Sequence, residues 1–123
     1  EVAVMNCVNE LDRRLKGRSE MEIFDLMALV AQGYENRQVN VFYKNDFLKA
    51  RVIVLEVGGK IPECKMDTYV MFYVVKGEVL IRKNDETSVL KENQVCIIEP
   101  ALLSIESKTG ARLMGIQIKH KTA

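Results

Sequence analysis

Eight short apolar runs, each closed by turn-forming residues, constrain this chain more than any other feature. They fall at residues 39–43, 50–57, 68–75, 78–82, 87–90, 94–98, 103–107 and 111–119. Val, Ile, Leu, Phe and Tyr dominate them, which is the composition of β-strands. Between them stand Asn45-Asp46, Gly58-Gly59, Lys76-Gly77, Asn84-Asp85, Glu92-Asn93 and Thr109-Gly110, all turn signals. No segment between the runs is long or periodic enough to be a crossover helix, so a parallel sheet is excluded. An antiparallel sandwich or barrel remains. There is no internal repeat and no low-complexity segment.

The first third reads differently. Val4, Val8, Leu11 and Leu15 share one face of a helix, and Glu10, Asp12, Arg13, Arg14 and Lys16 fill the others. Gly17 is a plausible stop for it. The apolar stripe is narrow, which suits a helix lying on a surface, whether its own domain's or a partner's. Ser19-Glu20-Met21-Glu22 fits a capping box, with Ser19 as N-cap and Glu22 reaching back. Residues 23–32 after it are apolar almost all round, and Gly33 suits a helix C-terminus. The expected organisation is a helical segment over residues 1–33 and a β-barrel over residues 34–123, packed as one unit.

Charge and rare residues narrow the chemistry. Eighteen Lys and Arg against 17 Asp and Glu leave a net charge of +1. That argues against nucleic acid as a partner, because phosphate binding needs a clustered cationic surplus. The single histidine, His120, sits in a basic tail, so no site can use two imidazoles. Cys7, Cys64 and Cys96 form no C-x-x-C pair. Free thiols in a reducing, cytoplasmic setting are the simplest reading. The longest apolar run, residues 26–31, is far short of the roughly 20 residues that span a bilayer. No partner membrane is expected, and the first residues do not resemble a signal peptide. The chain starts at Glu1 without Met, so a preceding segment is expected.

Residues 58–64 (GGKIPEC) through 72–79 (FYVVKGEV) resemble the first signature of the cupin superfamily. Residues 90–100 (LKENQVCIIEP) resemble the opening of its second, with Asn93 where the family has a turn glycine. The resemblance spans about residues 36–119 and implies a single antiparallel jelly-roll barrel. The fold expected is therefore mainly β, a cupin-like jelly roll preceded by two helices. Cupins commonly hold a divalent metal with histidines and a glutamate. The matching positions here are Cys64, Met66, Val70 and Ser104. Fe, Mn or Ni prefers imidazole and carboxylate, so neither a metal nor any other cofactor is expected.

If Val70 faces the barrel interior, strand parity sends Phe72 and Val74 with it and turns Tyr69, Met71, Tyr73 and Val75 outward. Both faces are then apolar, and the outer one needs a cover, either the N-terminal helices or a second subunit. The resemblance implies a homodimer. Cys64, Met66, Val70, Phe72 and Ser104 form the candidate ligand pocket, since apolar, Met-containing walls adapt to small molecules. The same composition also describes a barrel packed shut. Cys96 and Cys7 read as packing residues, and His120 as a solvated end. The leading expectation is a non-enzymatic, metal-free protein that binds a small molecule, with no catalytic residue assigned. One alternative is a metal-independent isomerase or lyase using the pocket, with Cys64, Glu63, Asp67 or Glu99 moving protons. Another is an interaction domain with a filled barrel. A cyclic-nucleotide-binding jelly roll is disfavoured by the lack of a Gly-rich, Arg-containing phosphate cassette.

Overall fold

The structure is a computed structural model and describes residues 21–119. Eight antiparallel strands follow a short 3-10 helix at Tyr34–Asn40. They are β1 (Val41–Lys44), β2 (Leu48–Leu55), β3 (Lys60–Met66), β4 (Tyr69–Lys83), β5 (Glu86–Lys91), β6 (Val95–Ile98), β7 (Ala101–Glu106) and β8 (Ala111–Ile118). The order β1-β2-β8-β4-β7-β3 runs through one curled sheet, with β5 and β6 paired to β4 alone. No helix among the described residues is long and apolar enough to cross a membrane.

Strand β4 organises the jelly roll. Its first half pairs with β8 and β6, and its second half with β5 and β7. The corner lies at Lys76-Gly77, where the pairing with β8 slips and Gly77 takes φ +87°. The sequence reads this dipeptide as a turn between two strands. Instead the glycine lets one 15-residue strand bend from one sheet into the other. Strand β3, conversely, looks like a loop in the sequence. It ends the path of strands, pairing with β7 alone, and that edge position accommodates Pro62 and a mostly solvated set of side chains.

The expected parity of β4 holds. Val70, Phe72 and Val74 are buried inward, beside Ile53, Leu55, Ile61, Val79, Ile81, Leu103, Ile105 and Leu113. Asn93, where cupins carry glycine, takes φ +65°. Asparagine tolerates the left-handed region better than most residues. Its side-chain oxygen also accepts the Tyr73 hydroxyl at 2.7 Å, so the turn survives the substitution.

The two expected N-terminal helices are corrected in part. The first, with Cys7, and the Ser19 cap lie outside the described residues, as does His120. The second does not form. At residues 23–32 there is only a turn, in which Asp25 Oδ1 accepts the Met27 and Ala28 amides. Asp competes for the backbone in this way and opposes helix propagation. The Leu26 and Leu29 carbonyls accept instead from the Arg112 guanidinium on the outer face of β8. Asn40, buried, then clamps both backbone groups of Gln32, at 2.8 and 2.9 Å. These bonds hold the segment against the outer face of β8; on that face Ala50 and Val52, in register with Ile116 and Met114, are 4% and 1% exposed.

Candidate functional site

A cavity of about 220 Å³ opens between the sheets at one end of the barrel. Its floor is hydrocarbon: Ile53, Val70, Phe72, Leu103 and Ile105 are all buried. Its rim carries Cys64, Met66 and Ser104 from β3 and β7. All five pocket residues singled out in the sequence thus border one space. Strand parity brings Val70 and Phe72 there, and the β3–β7 pairing brings Cys64 and Met66; Ser104 borders it from β7, but alternation with the buried Leu103 and Ile105 and its pairing with Arg82 turn its hydroxyl to the other face.

Gly115 gives the cavity its depth. It lies in register between Arg51 of β2 and Phe72 of β4. A Cβ there would meet Ile53 Cδ1 at 3.2 Å and the Phe72 ring at 3.3 Å. The missing side chain lets these two walls close around the cavity without filling it.

Four lining residues escaped the sequence reading: Tyr34, Arg37, Arg51 and Gln117. Arg51 and Gln117 had a usable signal, because parity places them on the same faces as Ile53 and Leu113. In β2, however, both faces are apolar, so the inward one was ambiguous. Tyr34 and Arg37 sit in the 3-10 helix and carry no pattern. The Arg37 guanidinium stacks 4.5 Å over the Tyr34 ring and donates to the Tyr34 carbonyl at 3.3 Å. Burial presses the Arg51 pKa below its ordinary value, with Arg37 adding to this and Tyr34 opposing it. Arginine nevertheless stays protonated near neutrality.

The positions that match the cupin metal ligands do not fit such an ion. They supply a thiol, a thioether, a hydrocarbon and a hydroxyl, with two guanidinium cations on the same cavity. The Cys64 thiol donates to the Met66 sulfur at 3.5 Å. Among the described residues, no group of three or more His, Cys, Asp or Glu is placed to hold a metal. Glu63, Asp67 and Glu99 are exposed and none lines the cavity. Cys64 is exposed, whereas Cys96 is half-buried and its thiol is pushed up by burial, with Lys83 pulling the other way. In a Cys7→Ser background, iodoacetamide at pH 8 should therefore label Cys64 at least about tenfold faster than Cys96. Equal rates by mass spectrometry would contradict this placement.

No family model matches the chain, and no curated protein matches its sequence. Solved structures do match. A cupin superfamily protein from Desulfitobacterium hafniense superposes with a TM-score of 0.68 at 13% identity, covering 83% of this chain and 94% of the other. The Cnp3 cupin domain of Schizosaccharomyces pombe gives 0.68 at 18% identity, with 82% and 76% covered. A cupin-2 domain containing protein from Shewanella frigidimarina gives 0.63 at 18% identity, with 85% and 99% covered. Such identities speak for the fold and not for a shared activity. Strand order, the sheet-switching β4 and these superpositions agree: this chain has the fold of the cupin superfamily.

Proposed function

We propose that this chain is a metal-free cupin-like protein that takes a small molecule into the open end of its barrel, in a binding or sensory role. The observation that carries this reading is the cavity itself, an apolar floor under a few polar groups. That is the usual make-up of a small-molecule site. A barrel serving only as an interaction domain has no use for an open cavity, since unfilled apolar space costs stability. Of the four residues the enzyme reading would use to move protons, Cys64 borders the cavity, whereas Glu63, Asp67 and Glu99 do not.

Cys64 reports on occupancy. Phenylacetamide, a neutral probe of suitable shape, should slow iodoacetamide labelling of Cys64 and leave Cys96 unaffected. Protection of neither thiol at saturating probe would count against binding in this cavity.

A homodimer is part of the proposal, formed through β6. Among the described residues this strand pairs with β4 alone, which leaves its other edge without a strand partner. Val95 and Ile97 are 51% and 69% exposed and lie beside Tyr73 and Met71 on the outer face. Pairing of two β6 edges across a two-fold axis would close both at once and bury this apolar face. Light scattering should give twice the chain mass, and Ile97→Lys should halve it. A monomeric parent at high concentration would refute the dimer.

A further inference from the structure

We infer that the ligand of this cavity is an organic acid, an apolar body carrying one carboxylate that Arg51 receives with Arg37 beside it. The inference rests on the binding reading above and adds the chemistry of the ligand.

Arg51 stands where an apolar residue would be expected. It points to the same side of β2 as the buried Ile53 and Leu55. A guanidinium so placed loses hydration, and proteins normally offset that loss with a carboxylate. Among the described residues no Asp or Glu lines the cavity. The ionisable neighbours acting on Arg51 are Tyr34 and a second cation, Arg37. Arg37 is itself held in place by the Tyr34 ring and carbonyl. Two guanidinium groups therefore border one small cavity to which the described residues bring no anion.

An anionic ligand supplies the missing charge. The planar guanidinium fork matches a carboxylate through two parallel N–H···O bonds. Gln117 adds a neutral hydrogen-bonding group on the same cavity. The rest of the wall is hydrocarbon and accepts an aromatic or branched aliphatic body. A phosphate ester carries about two charges at neutral pH and more acceptor oxygens, which suits this largely hydrocarbon wall less well than a carboxylate does.

Calorimetric titration at low salt and pH 7.5 tests this with phenylacetate, phenylacetamide and phenyl phosphate. Phenylacetate should bind once per chain, at least about tenfold more tightly than phenylacetamide. Arg51→Met keeps the length of the stem and should bring the two within about twofold, mainly by weakening phenylacetate. The same variant without ligand should melt at the parent temperature or above, because a half-buried charge that no described carboxylate offsets has gone. Equal affinities in the parent, a preference surviving in Arg51→Met, or tighter binding of phenyl phosphate would each overturn the inference while leaving the binding reading intact. A lower melting temperature for Arg51→Met would assign the residue to the fold and also overturn it. If none of the three probes binds, the binding reading itself fails and takes the inference with it.

Discussion

Replacing Gly77 by valine should cost about 3 kcal/mol or more of folding stability, by strain plus overpacking. Two separate penalties meet at this position. Its φ of +87° lies in the left-handed region that a β-branched side chain resists. A Cβ would also collide with the Gly110 carbonyl oxygen and come within 3.0 Å of the Ala111 Cα. Both contacts are with backbone, and β8 begins at Ala111, so relief would require moving the strand that pairs with both β2 and β4. Gly58→Ala separates the two penalties. Gly58 has φ +77°, but nothing lies within 4 Å of a Cβ there. It should lose only the backbone part, about 1 kcal/mol. Urea denaturation of both variants checks this, and similar losses at the two sites would show that β4 does not depend on the close approach at its corner.

Gly115→Leu should abolish ligand binding while keeping the fold. The residue sits between Arg51 and Phe72 on the cavity wall. The first carbon of the new side chain meets only side-chain atoms, Ile53 Cδ1 and the Phe72 ring, which can give by a few tenths of an ångström. The remaining carbons then occupy the volume a ligand needs. A stability cost of about 1–2 kcal/mol is expected from overpacking. Phenylacetate titration should give no heat of binding and no protection of Cys64. Unchanged affinity in a folded Gly115→Leu protein would move the site elsewhere.

The fold was legible where one residue pattern admitted one structure. Val70, Phe72 and Val74 alternate with outward residues, and the structure buries those three. The apolar run at 23–32 failed because near-uniform apolarity gives no preferred helical face, and Asp25 and Arg112 compete for its backbone. Lys76-Gly77 misled because a glycine that bends a strand and a glycine that ends one look alike in sequence. The candidate pocket was legible on its apolar side, through position within the cupin-like signatures. Its charged side was not, because Arg51 lies on a strand with two apolar faces, and Arg37 reaches the cavity only through the packing of the 3-10 helix.

The most direct measurement is a calorimetric titration of phenylacetate into the full chain after exhaustive chelation. Binding of one molecule per chain, unchanged when Mn, Fe or Ni ions are restored, is the result predicted. Binding that appears only after a divalent metal is added would contradict a site built from guanidinium groups and hydrocarbon.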